Sequence, residues 1–388
     1  MSWVELNAET ATDLAERHGT PFYFYDLEVL LQRARRAKAA LPAHVLYAMK
    51  ANPHVELLRG LHGVVDGLDV SSLGEVERAL ACGWKGSQLS FAGPGKTPHE
   101  LEQAVAHRVL ISVESIRELD ALGALGRAAR IRLRLNLATR AQAYRVPMMG
   151  GPSPFGIDEE ALAVAVARLR AHPQLEFEGV HVHPGAQCTS VGGFATAVAS
   201  TLDLVERLGV PVQRVNFGGG FGVVSPEEEL DVEAAGKRLG AMLEKFRAAT
   251  GKSVEAVLEL GRWLVAPAGL YVARVVSEKR SRGTHFTILD GGMNHHLGAT
   301  GHVSPRLPLV NLSRPDAPKV TRTVVGPLCT PLDTLGVDVE LPEPRVGDLI
   351  AIVGSGAYGY SFSPLHFLGH PLPPEIVSSG LGAGRHQP

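Results

Sequence analysis

Lys50 stands directly after a β-like run, in Tyr47-Ala48-Met49-Lys50-Ala51-Asn52-Pro53. Burying an ammonium at a strand end is costly. A Schiff base removes that cost by making the amine a covalent ligand of an aldehyde; the plainer reading is a lysine snorkelling to a rim. Asp69 ends the next run, Leu68-Asp69-Val70, and reads equally as a helix cap or a rim carboxylate. His183 closes Gly179-Val180-His181-Val182-His183. Alternation puts both histidines on one face with His183 nearer the end, where an imidazole can lie flat on an aromatic ring or simply be a satisfied structural residue. Gly218, Gly219 and Gly220 follow Asn216-Phe217. Three such residues leave backbone N–H groups bare to an anion such as a phosphate, or else make a flexible turn; the spacing is not the dinucleotide-binding G-x-G-x-x-G. Glu259, in Leu258-Glu259-Leu260-Gly261-Arg262, can pair with a protonated pyridine nitrogen and keep that ring an electron sink. Arg262 and the Gly261 amide would complete a phosphate clamp, the alternative being a surface ion pair. Cys329 lies in a Gly/Pro-bounded stretch, Gly326-Pro327-Leu328-Cys329-Thr330-Pro331-Leu332-Asp333, a setting for access rather than packing. Tyr358 lies in Ser355-Gly356-Ala357-Tyr358-Gly359. Each signal is weak alone. Together they supply an aldehyde anchor, a ring-stacking group, a phosphate cradle, a pyridinium partner and a proton donor.

Something must bring these residues to one place. Eight β-like runs, at 44–49, 64–70, 88–91, 109–113, 131–135, 179–183, 212–217 and 254–258, alternate with helical segments such as 72–81 and 158–171. Eight strands alternating with helices predict a (β/α)8 barrel, with an open doubly wound sheet as the alternative. In such a barrel the chemistry sits at the C-terminal strand ends, where the residues above fall. After Gly269 the pattern changes to runs at 272–277, 284–290, 319–325 and 348–353, separated by glycine and proline: an all-β region. The run at 22–25 can pair with it, so the expected domains are a barrel over 27–269 and a discontinuous β domain over 1–26 and 270–388. Four prolines in 301–318 suggest a mobile loop.

Composition narrows the function classes. A net charge of −2 steers the chain toward neither nucleic acid nor anionic membrane. No apolar run is long enough for a membrane helix. Three cysteines, no CxxC pair and no signal-peptide pattern predict a cytoplasmic protein with neither disulfides nor a metal site.

With YAMKANP, DVSSLGE, HVHPGAQ, NFGGGFG, ELGR, GPLCTPLD and SGAYG in this order, the sequence resembles the fold-type III, alanine racemase-like pyridoxal-phosphate decarboxylases, which include the diaminopimelate, ornithine and arginine enzymes. The resemblance covers nearly the whole chain. It implies that Lys50 carries pyridoxal 5'-phosphate, that His183 stacks on the ring and that Glu259 meets its nitrogen. Gly218, Gly219, Gly220, Gly261, Arg262 and Tyr358 would hold phosphate, and Asp69 and Arg134 would complete the site. It also implies a homodimer with shared sites, in which Cys329 acts in trans and protonates the α-carbon.

The departures bear on substrate. Diamine-forming relatives follow the cysteine with an acid that pairs with a distal ammonium; here Thr330 follows, so a free basic amino acid needs Asp333 or another carboxylate instead. The Arg-Pro-x-x-Tyr stretch of diaminopimelate decarboxylases is absent, and Asn294-His295-His296 stands there, placing His295 among the candidate substrate contacts. Leu260 replaces a usual proline and Ala186 a usual serine. Phe91-Ala92-Gly93-Pro94-Gly95-Lys96 and SGAYGYSFSPLHFLGHP resemble the natural-product branch, whose butirosin-type member acts on glutamate tethered to an acyl carrier protein, and a similar exosortase-associated branch. A tethered or modified amino acid is therefore expected, with a free diamino acid as the alternative. A racemase of this fold class would set arginine against the pyridine nitrogen, which Glu259 opposes.

Overall fold

A computed structural model describes residues 3–225 and 227–378. The chain forms two compact units: Arg33–Val223 with Glu228–Trp263, and Met1–Gln32 with Val224–Glu227 and Leu264–Pro388. These limits lie a few residues inside 27–269, and helix Leu27–Ala40 runs across the first of them.

The first unit holds eight parallel strands: β1 (His44–Ala48), β2 (Gly67–Val70), β3 (Leu89–Phe91), β4 (Leu110–Val113), β5 (Ala129–Asn136), β6 (Leu175–His181), β7 (Arg214–Gly219) and β8 (Glu255–Leu260). Each pairs with the next, and β8 pairs with β1 from Val257↔His44 to Leu260↔Tyr47. The sheet is closed, which removes the doubly wound alternative. Alternation explains β5: Ile131, Leu133 and Leu135 are buried on one face, while Arg132, Arg134 and Asn136 occupy the other. Side-chain caps start the helices after the strand ends. Ser72 accepts from the Glu75 amide, Thr97 from Glu100, Ser115 from Glu118 and Asp231 from Ala234, each such cap being worth about 1 kcal/mol. The expected run 64–70 shortens to β2 because the Val64 and Val65 amides turn back to the Leu61 carbonyl, while the Asp66 carboxylate binds Lys38 and the Val45 amide at 2.7 Å.

The second unit is built on β9 (Gly269–Ser281), β10 (Thr284–Leu289), β11 (Lys319–Val325), β12 (Thr334–Pro342) and β13 (Leu349–Val353). Strand Phe22–Asp26 lies antiparallel to β9 and parallel to Glu375–Ser378. Both its faces are covered. Phe22 and Phe24 join Leu14, Leu270, Val272 and Leu349 in one core, while Tyr23 and Tyr25 donate from the other face to the His295 carbonyl (2.7 Å) and Glu375 Oε1 (2.8 Å). The mobile-loop expectation for 301–318 needs correction: Leu309–Asn311 is a strand paired with β13. Its prolines flank the paired residues, where no ladder donor is lost.

Candidate active site

Lys50 sits in a single 3-10 turn, Met49–Ala51, just past β1. Its side chain is 44% exposed, whereas Asp69 beside it is fully buried; Nζ stands 3.5 Å from Asp69 Oδ2. The cost of desolvation therefore falls on the carboxylate and not on the lysine. Neither Asp69 oxygen accepts a hydrogen bond from the described residues. Burial and the nearby Glu259 raise the Asp69 carboxyl to about 7, against the pull of Lys50 and Arg132. Such an under-satisfied acid beside a reachable amine marks a functional rim rather than a packing detail.

Below the rim the barrel interior is polar. Glu259 on β8 is met from across the barrel by Arg132 on β5, Nη2 to Oε1 at 3.0 Å. Asn216 on β7 donates to the same oxygen at 2.6 Å. His181 and His183 stand 3.4 and 3.9 Å from Oε2. Ser112 accepts from Arg132 Nε at 2.7 Å and faces His181 Nδ1 at 3.2 Å; Ser90 also accepts from Arg132. Burial lowers His181 to about 4 and carries His183 well below its ordinary value, so both rings are neutral. Burial alone would raise the Glu259 carboxyl; His181, the fixed positive charge of Arg132 and His183 reverse this and hold it well below the usual range. His181, His183 and Glu259 also bring possible metal-ligand atoms within 4.8 Å of one another. A guanidinium on that carboxylate repels a cation, so the trio reads as a ring-binding surface instead. His183 itself lies just beyond the end of β6, half-buried.

Close backbone approach dictates the glycine run. A Cβ on Gly218 (φ +68°) would fall 2.7 Å from His183 Nδ1, one on Gly219 1.6 Å from the Glu259 carbonyl, and one on Gly220 (φ +80°) 1.9 Å from the Gly185 carbonyl. Only glycine lets β7 end against both β8 and the His183 segment. The Gly218 amide is already bound to Asn216 Oδ1 at 2.8 Å, so the run is not wholly bare as expected. Gly261 packs on the lysine turn, where a Cβ would fall 3.0 Å from Ala51 Cβ, and Arg262 opens the short helix Arg262–Val265.

Arg134 also lies at the C-terminal ends of the strands, where Nη1 meets Glu114 at 2.7 Å and the guanidinium covers the Phe155 ring. Glu114 accepts from Gly93 and Gly156 amides as well, and the Lys96–Glu118 pair (3.1 Å) continues the buried charges. The family resemblance points to Arg134 and the residue pattern to Glu259, whereas Arg132, His181 as a partner, Asn216, Glu114, Glu118 and Lys96 emerge only in the fold. The alternating arginines of Arg130-Ile131-Arg132-Leu133-Arg134 were the available signal.

The second unit carries the remaining candidates. Cys329 is exposed. Its loop is closed by Asp333, which accepts from the Met293 amide (2.6 Å) and the Leu328 amide (2.8 Å) and leaves no room for a Cβ at Gly292 or Gly326. Thr330 Oγ1 accepts from the Leu332 amide at 3.3 Å. Asp333 is thus a buried loop clamp. His295 is buried too, between the Tyr271 hydroxyl (3.2 Å) and the Pro371 carbonyl (3.0 Å), and His296 bonds Ser355 Oγ at 2.9 Å. Both rings are held inside their own unit by these partners. Tyr358 is half-buried at φ +54°, a backbone conformation that costs a non-glycine residue energy and clusters at functional sites.

Residues 27–266 match the family model described as pyridoxal-dependent decarboxylase, pyridoxal binding domain. The chain is 35% identical to the L-glutamyl-[BtrI acyl-carrier protein] decarboxylase of Niallia circulans, over 96% of this chain and 92% of that protein. It is 31% identical to the diaminopimelate decarboxylase of Aquifex aeolicus, over 94% of this chain and 88% of that protein. Among solved structures, the Helicobacter pylori diaminopimelate decarboxylase complexed with L-lysine is similar at TM-score 0.86 and 29% identity, covering 95% of this chain and 94% of that one.

Proposed function

The chain belongs to the pyridoxal-dependent decarboxylases, and on that premise we propose that its substrate is an α-amino acid held by its far end, as a thioester on an acyl carrier protein or a comparable modification. The observation that carries this reading is the Cys329 loop. Thr330 follows the cysteine, and the Asp333 carboxylate is committed to two backbone amides, so the loop offers no acid to a distal ammonium. A basic amino acid that loses its charge partner in a buried site forfeits about 3–5 kcal/mol. The 35% identity to a carrier-protein glutamyl decarboxylase supports the same substrate class.

Pyridoxal phosphate is the cofactor, and the residues present fit it. There is an amine within reach of a buried, under-satisfied carboxylate, a neutral imidazole beside an anionic glutamate, and a backbone cradle that any Cβ would fill. When bound, the cofactor supplies an electron-poor ring that accepts the electrons of the broken bond between Cα and the carboxylate. Lys50 would hold its aldehyde, and Asp69 would keep that nitrogen positively charged. His183, neutral, would offer a flat face without adding a competing charge. Glu259 would keep the ring nitrogen protonated. Gly218 to Gly220, Gly261, Arg262 and Tyr358 would hold the phosphate, and Arg134 would line the rim. In the dimer we propose, Cys329 of the partner subunit returns a proton to Cα.

The test is a decarboxylation screen by mass spectrometry on cofactor-loaded protein, offering free lysine, ornithine, arginine, diaminopimelate and glutamate beside glutamyl-loaded carrier protein. Loss of CO2 from the carrier-bound substrate alone is the expected result. Turnover of a free diamino acid would overturn the argument from Thr330 and Asp333.

A further inference from the structure

Glu259 belongs to β8, yet its one permanently charged neighbour comes from β5 on the far side of the barrel. Both side chains are buried, Arg132 at 4% exposure and Glu259 at 2%. The guanidinium is itself fixed: Nε donates to Ser112 at 2.7 Å, and Nη2 donates to Ser90. Asn216 takes the same Glu259 oxygen from a second side at 2.6 Å. Oε1 is therefore fully engaged from inside the barrel, and Oε2 is left on the side of His181 and His183. Resting on the reading of Glu259 as partner of the ring nitrogen, we propose that Arg132 is a positioning residue for decarboxylation: it pins Oε1 from within the barrel and keeps Glu259 an anion whose Oε2 serves the cofactor.

The groups facing Glu259 are Asp69 from β2, Arg132 from β5, His181 on β6 and His183 beyond it, with Lys50 against Asp69 and Arg134 acting on His183. His181 is the first group that holds the Glu259 carboxyl down and Arg132 follows; with both imidazoles neutral, Arg132 is the neighbour that keeps a positive charge on the carboxylate. Without it, burial and Asp69 push the Glu259 carboxyl up, and the sign follows: below the raised value the group carries a proton, and the anion returns as pH rises. A buried Arg–Glu pair is poor evidence for stability. Its use here is to fix one charge state at one place.

The experiment compares wild type with Arg132→Met, Arg132→Lys, Glu259→Gln and the double variant Arg132→Met/Glu259→Gln. It reads the pH dependence of three quantities: the absorbance of bound pyridoxal phosphate, its Kd for the apoenzyme, and kcat and KM on the substrate the screen returns. Arg132→Met is expected to lose kcat on the acid side, about tenfold for each pH unit below the shifted midpoint, with KM little changed. Absorbance and Kd should titrate at that same midpoint. Arg132→Lys should keep the wild-type profile, and the double variant should be no slower than Glu259→Gln. An Arg132→Met protein that is less stable but has unmoved pH profiles and absorbance overturns the proposal, as does an additive double variant. Should Arg132→Met not fold, Ser112→Ala, which releases only the guanidinium Nε, replaces it; an acid-side loss is expected and a flat profile overturns. If Glu259→Gln itself behaves as wild type, it is the Glu259 assignment that fails.

Discussion

Asp69 is the residue whose surroundings say most about the rim. Its carboxyl is at about 7 in the folded protein against 3.8 ordinarily. Between about pH 4 and 7 the folded apoenzyme therefore binds a proton that the unfolded chain does not, so stability falls as pH rises through that window. The apoenzyme should lose on the order of a few kcal/mol by this route, and Asp69→Asn should flatten the trend. Urea denaturation at pH 5 and pH 8 reads it; an equally steep loss in Asp69→Asn would place the cause elsewhere. Lys50 contributes differently. Half-exposed beside Asp69, it is an available amine rather than a buried charge.

At the scale of elements, β7 and β8 form the floor of the candidate cofactor site because glycine lets their backbones meet. Gly219→Ala places a methyl 1.6 Å from the Glu259 carbonyl, and relieving that requires moving β7 away from β8, at about 1–3 kcal/mol or more. A lower Tm together with weaker pyridoxal phosphate binding is the expected pair of outcomes. Gly95→Ala, with nothing within 4 Å of its new methyl, is the control and should change neither. Cofactor affinity unchanged in Gly219→Ala would show that the cradle lies elsewhere. The same scale explains β5. A strand with aliphatics outward and arginines inward is what a barrel with a charged interior needs, and the closing β8–β1 pairing leaves no edge through which water could reach those charges instead.

For the whole molecule the prediction concerns the dimer. If Cys329 serves the partner subunit's site, Lys50→Ala and Cys329→Ala proteins are each nearly inactive alone. Mixed in equal amounts and allowed to exchange subunits, they form hybrids with one site that is intact and one that is doubly impaired. Random exchange then restores about a quarter of the wild-type rate. Recovery of nothing, with exchange verified by native mass spectrometry of differently tagged chains, would mean that each chain supplies its own cysteine. No helix among the described residues is long and apolar enough to cross a membrane.

The barrel and many of its candidate site residues were legible in the sequence because both depend on local order. Strand periodicity and strand–helix alternation are written over a few residues, and in a barrel the strand ends converge whatever the detail of packing. Lys50, Asp69, His183, Glu259 and the glycine run are all found at those ends. What the tertiary structure decided are the pairings across the closed sheet and within the β unit. Arg132 reaches Glu259 over 127 residues of chain, and Ser90, Ser112 and Asn216 join them from three other strands. Nothing in the spacing marks those partners, since only closure brings inward faces together. Asp333 and His295, expected among the substrate contacts from their place in the family's motifs, are bonded in the fold to backbone amides and to Tyr271 and Pro371, partners that no spacing marks, because a buried polar group goes to whichever partner the packed chain places nearest.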